Sequence, residues 1–164
     1  MRASAQISNK IYSKEALKRK VIIWKMLGKK IVFTNGVFDI VHKGHIAYLS
    51  EAASYGDILI VAVNADESVM KLKGPTRPVN EENARVLLVA SLLQTDAVIL
   101  FKEDTPLGLI KELMPDYLVK GGDYTIDQIA GSKEVIAAGG KVIIANIVAG
   151  ISTSSIIEKM KGQQ

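Results

Sequence analysis

Both histidines of the chain fall in one short stretch, NGVFDIVHKGH, which runs from Asn35 to His45 and sets His42 and His45 around Lys43-Gly44. Two imidazoles at that spacing can offer an anion directional hydrogen-bond donors or positive charge. The run Asn35, Gly36, Val37 and Phe38 lets the backbone turn without a side-chain clash at the glycine, so main-chain N–H groups can approach a nucleotide closely. Gly44 then opens a helix whose terminus carries free N–H groups and the positive end of a dipole. Together these features make a site for a phosphate whose charge rises during reaction. The competing reading is structural, with one histidine capping the helix and the other on the surface.

Other chemistries for this loop are poorly served. A zinc site wants further His or Cys ligands, and the chain has no third histidine and no cysteine. Neither the G-x-G-x-x-G dinucleotide fingerprint nor the G-x-x-x-x-G-K-[ST] phosphate loop follows the first strand.

The elements that must position the loop are legible as an alternation. Lys30 to Thr34, Asp57 to Val63, Ala97 to Phe101, Tyr117 to Val119 and Lys141 to Ala145 are short aliphatic runs that read as strands buried on both faces. Between them, Ile46 to Tyr55, Glu81 to Leu93, Pro106 to Met114 and Ser132 to Ala138 carry apolar residues at spacings of three and four, the mark of helices. The alternation predicts an α/β fold, a doubly wound, Rossmann-like parallel sheet of about five strands. A leading helix is expected over residues of about 13–27, ended by Gly28, and a core over about 29–161, all in one domain of 164 residues. In such sheets ligands bind beyond the carboxyl ends of the strands. The chemically suggestive segments NGVFDIVHKGH, NADESVMKLKGPTRPVN, KEDT, KGGDY and NIVAGISTSSI each follow a strand.

Composition narrows the function classes. With 48% hydrophobic, 23% charged and 5% aromatic residues the chain reads as globular, and its lack of cysteine rules out disulfides and thiol nucleophiles. The N-terminal MRASAQISNK has no apolar signal-peptide core, and the longest aliphatic run, Ile58 to Val63, is too short to span a bilayer; a cytoplasmic protein with no membrane association is expected. The net charge of +4 points to anionic partners, and the scattered aromatics favour phosphorylated small molecules over nucleic acid.

FTNGVFDIVHKGH resembles the first signature of the HxGH nucleotidyltransferase superfamily, and GISTSSII, Gly150 to Ile157, resembles its second. VAVNADES, LKGPTRPVN, EDTP, VKGGDY and IAGSKEV are similar to segments of the heptose 1-phosphate adenylyltransferases within it, and the likeness runs from about Lys10 to Met160. This chain departs from the pattern at Val37, where relatives carry Cys, at Glu82-Asn83-Ala84, and in the order of hydroxyl residues after Gly150.

The resemblance implies transfer of AMP from ATP to a heptose 1-phosphate with release of pyrophosphate, assisted by Mg²⁺ held through the ATP phosphates rather than by a protein cage. It implies that His42, His45 and Lys73 act on the reacting phosphates. Asn35, Gly36, Val37, Phe38, Gly44, Lys120, Gly121, Gly122, Asp123, Ser152, Thr153 and Ser154 would bind the nucleotide, and Asn64, Asp66, Arg77 and Arg85 the substrate or its phosphate. It also implies a homodimer and a separate sugar kinase upstream. A cytidylyltransferase acting on glycerol 3-phosphate and a non-catalytic nucleotide-binding module remain alternatives at this level.

Overall fold

The five aliphatic runs become the strands β1 (Ile31–Gly36), β2 (Ile58–Asn64), β3 (Ala97–Phe101), β4 (Tyr117–Gly121) and β5 (Lys141–Ala145). A computed structural model of the chain describes residues 4–122, 124–145 and 153–161. All pairings are parallel, in the order β3-β2-β1-β4-β5. The helices are α1 (Ser4–Ser8), α2 (Lys14–Met26), α3 (Lys43–Ala53), α4 (Asp66–Lys73), α5 (Glu82–Ser91), α6 (Leu107–Leu113), α7 (Ser132–Ala137) and α8 (Thr153–Lys161), with a short 3-10 turn at Ile126–Gln128.

Strands β1 to β3 bury both faces because their side chains alternate between two cores. Strand β5, expected to be buried on both faces, lies at the sheet edge, fully buries only Ala145 and leaves Lys141 and Ile144 exposed. Ile31, Phe33, Ile60 and Ala62 face the side covered by α2, α6 and α7, through Leu17, Val21, Ile110, Leu113 and Val135. Val32, Leu59, Val61 and Val63 face the other side, covered by Leu49 and Ala52 of α3 and by Val86, Val89 and Ala90 of α5. The chain therefore leaves β1 toward one face and β4 toward the other. That reversal opens a crevice at their carboxyl ends, which is where such sheets bind ligands.

Local chemistry sets the helix limits. Ser13 caps α2 by accepting from the Ala16 N–H at 3.2 Å, and Gly28, with φ +74, follows its end. Helix α4 lies inside NADESVMKLKGPTRPVN, a segment expected as a post-strand loop. Only Ser68 and Val69 of its eight residues are buried, so its apolar periodicity is faint. Its signals are instead terminal: Asp66 and Glu67 in the first turn, Lys71 and Lys73 in the last, and Gly74 at φ +92 beyond.

Candidate active site

Helix α3 begins at Lys43, with His42 as its N-cap. The His42 Nδ1 accepts the Gly44 N–H at 3.1 Å, and the His45 Nδ1 accepts the His42 N–H more loosely, at 3.4 Å. With both Nδ1 atoms turned to backbone donors, the proton of each neutral ring sits on Nε2. Capping and ligand contact are thus not rivals: one edge of each ring ends the helix while the other is left for a ligand. The ring centroids are 4.0 Å apart.

Burial holds both rings neutral. It lowers the pKa of His42, and it takes His45 down to about 4, with smaller contributions from His42 and Lys73. Of the neutral donors and positive charge both open from sequence, burial favours the neutral form of the pair.

Both rings line a cleft of about 580 Å³ at the carboxyl ends of β1 and β4. The same cleft receives Asn35, Gly36, Val37, Phe38 and Gly44 from β1 and its loop, Asn64 from the end of β2, and Lys120 and Gly121 from β4. Lys73, Arg77 and Thr153 complete the expected residues that it brings together. Thr153 opens α8 and donates from Oγ1 to the Ile40 carbonyl at 3.4 Å, tying that helix terminus to the histidine loop.

Three cationic side chains converge here. Lys73 has no carboxylate partner among the described residues. Arg77 is pinned through Nε to Asp39 at 2.7 Å, and its side chain keeps 12% exposure. Lys120 donates to Asn35 Oδ1 at 3.1 Å and to the Asn35 carbonyl at 3.3 Å, and its amine lies 5.7 Å from the Tyr124 ring centroid. Burial lowers the Lys120 pKa. The cleft anions are largely spoken for, because Asp39 is held by Arg77 and Asp104 by Lys71 at 3.1 Å. The balance suits a polyanion.

Asp66, expected at the sugar, and Arg85, expected at a phosphate, do not line this cleft. Arg85 is 1% exposed, and every arm of its guanidinium is engaged. Nη1 donates to the Val37 carbonyl at 2.6 Å, Nε to the Asn80 carbonyl at 3.0 Å and Nη2 to Asp66 Oδ1 at 2.7 Å. Asp66 is further tied to Glu82 through reciprocal contacts with backbone N–H groups. Gly122 and the exposed Ser154 also lie off the cleft lining, while Asp123 and Ser152 fall outside the described residues.

Several lining residues carry no assignment from sequence. Tyr48 stands one turn beyond His45 on α3, a spacing that could have flagged it. Its hydroxyl donates to the Val119 carbonyl at 3.1 Å and accepts from Thr34 Oγ1, and burial pushes its pKa up to about 12. Asp104, Thr105 and Pro106 belong to the EDTP segment after β3, and Tyr124, Gln128, Ile129 and Ala130 follow β4. Among the described residues no group of three His, Asp or Glu side chains could hold a metal, and no helix is long and apolar enough to cross a membrane.

Comparison with known proteins places these features among relatives. A family model described as cytidylyltransferase-like matches residues 33–159. The bifunctional protein HldE of Cronobacter sakazakii is 50% identical over 161 residues, 98% of this chain and 34% of the relative. The protein of the same name from Vibrio vulnificus is 58% identical over 135 residues, 82% of this chain and 28% of the relative. The chain therefore spans about a third of the length of the curated relatives it matches. Among solved structures, the lipopolysaccharide core biosynthesis protein of Thermoplasma volcanium is 34% identical, with a TM-score of 0.61, and covers 76% of this chain and 100% of its own. The pantoate-beta-alanine ligase of Francisella tularensis, at 15% identity and a TM-score of 0.56 over 92% of this chain and 76% of its own, shares the fold alone.

Proposed function

Because the chain belongs to the cytidylyltransferase-like family, we propose that it is a nucleotidyltransferase that moves AMP from ATP to a heptose 1-phosphate, releasing pyrophosphate and forming ADP-heptose. The observation that carries this reading is the pair of neutral imidazoles at the α3 terminus, lining one cleft with Lys73, Arg77 and Lys120. Likeness to the HldE proteins over nearly the whole chain, and the VKGGDY and RPVN segments, support adenine and a heptose.

In the reaction an oxygen of the sugar phosphate attacks the α-phosphorus of ATP in line, and the bond to the bridging oxygen of pyrophosphate breaks. The attacking phosphate is already ionised, so the protein need not remove a proton. What it must supply is alignment and donors aimed where charge accumulates. The Nε2–H groups of His42 and His45 serve the α-phosphate and the departing bridge oxygen. Lys73 and Arg77 hold the flanking phosphates, the first as a mobile point charge and the second through its terminal nitrogens. Lys120 and Asn35 fix the floor beneath the nucleotide. Mg²⁺ carried on the ATP phosphates supplies further charge neutralisation. In this reading a sugar kinase activity supplies the heptose 1-phosphate, and the protein works in the cytoplasm as a homodimer.

The test is pyrophosphate release from ATP and from CTP, with Mg²⁺, against heptose 1-phosphate anomers and glycerol 3-phosphate. Release with ATP and one heptose anomer is expected. Release with CTP and glycerol 3-phosphate would keep the chemistry and overturn the substrates, while ATP binding without turnover on any acceptor would overturn the enzyme.

A further inference from the structure

The loop that carries the histidines is gripped at both ends of one short segment. At Val37 the carbonyl accepts from the buried Arg85 guanidinium at 2.6 Å. At Asp39 the carboxylate accepts from the N–H groups of Val79 and Asn80, at 2.8 and 2.9 Å, and from Arg77 Nε at 2.7 Å. The Asp39 carbonyl accepts from the Asn80 side chain at 2.6 Å. Arg85 closes the frame by donating to the Asn80 carbonyl at 3.0 Å, so the 77–85 stretch holds residues on both sides of Phe38.

Phe38, the residue between those grips, has φ +51, a left-handed backbone that a bulky L-residue adopts only when its surroundings enforce it. The residue is 3% exposed, so its ring is packed inside the loop. The ring lies over Gly36, where a Cβ would stand 3.0 Å from it, and its centroid is 5.3 Å from that of His45. The strained residue thus forms the packing wall of an imidazole that the proposed reaction uses.

We propose that Arg85 and Phe38 are positioning residues. The Arg85 guanidinium, with the Asp39 carboxylate, holds the Val37–Asp39 backbone in the turn that seats the Phe38 ring against His45, and so aims the His45 imidazole into the cleft. The kinetic part of this inference rests on the proposed nucleotidyl transfer; the structural part does not.

The chain's two histidines make the ring readable by side-chain NMR in the full protein without any substrate. His45 titrates near 4 in the intact loop. In Arg85→Lys and in Phe38→Leu its midpoint moves up toward the ordinary histidine value of 6.5, as packing and aim are lost. The kcat falls by about 10²-fold, as a misplaced group costs, while the KM for ATP stays within about threefold. In Arg85→Ala, added guanidinium ion restores the His45 titration and kcat together. An unchanged His45 midpoint in folded Arg85→Lys overturns the inference. Should the Arg85 variants fail to fold by circular dichroism, an unchanged midpoint in Phe38→Leu overturns it equally. Absence of turnover in the unsubstituted protein would sink the proposed function, and the titration would still decide this point.

Discussion

At the scale of single residues, His45 accepts the His42 N–H through Nδ1, and in the proposed reaction its Nε2 serves the ligand. Removing the ring should therefore separate chemistry from binding. His45→Ala is expected to lower kcat by about 10²–10³-fold, the usual effect of losing a donor to developing charge, with ATP affinity nearly unchanged by calorimetry. A variant with normal kcat would remove His45 from the mechanism. The depressed pKa also has a stability consequence. Below pH 6.5 the unfolded chain takes up a proton that folded His45 refuses until about pH 4, so folding stability falls as pH drops through that window and gains nothing from this group above it. Urea unfolding between pH 4 and pH 7 should show this slope, reduced in His45→Gln. An identical slope in that variant would assign the effect to other groups.

Among elements, the β1–α3 loop and the 77–80 stretch are joined by more than ordinary packing. Burial alone would raise the Asp39 pKa, yet hydrogen bonds from Asn80 and Val79 and the Arg77 guanidinium hold it below the usual carboxylate value. Asp39→Ala would leave the Val79 and Asn80 N–H groups and the Arg77 charge without their acceptor. Breaking such a buried pair costs about 3–5 kcal/mol, and the expected result in urea unfolding is a loss of that order together with loss of turnover. A loss below about 1 kcal/mol, the worth of an exposed pair, would mean that the two segments pack without it. Nothing in FDIVHK marks that the partners of Asp39 come from residues 77, 79 and 80.

For the molecule as a whole, the cleft depends on two halves of the sheet meeting at β1 and β4. Ile129 and Ala130 line one side of it, and Gly131 follows them with φ +85 and room for no side chain, because a Cβ there would stand 2.6 Å from Ile110 of α6. Gly131→Ala combines overpacking with an unfavourable backbone, and a destabilisation of about 1–3 kcal/mol is expected by thermal or urea unfolding. An unchanged midpoint would show that α6 and the 129–131 turn can separate freely.

The alternation of strands and helices, the parallel sheet and a cleft beyond the strand ends were all legible in the residues. Short aliphatic runs mark strands, and AVILF and KVIIA match β3 and β5 at both ends. Ligand-facing residues must follow such strands, and an imidazole pair at a helix start is written in adjacent residues. Only the tertiary structure decided which edge of each imidazole is free, that α4 is helical with one apolar residue buried, and that Arg85 braces the loop rather than reaching the cleft. Those outcomes depend on burial and on partners drawn from distant parts of the chain. A guanidinium is the same residue in the sequence whether water or three protein acceptors surround it, and only packing determines which.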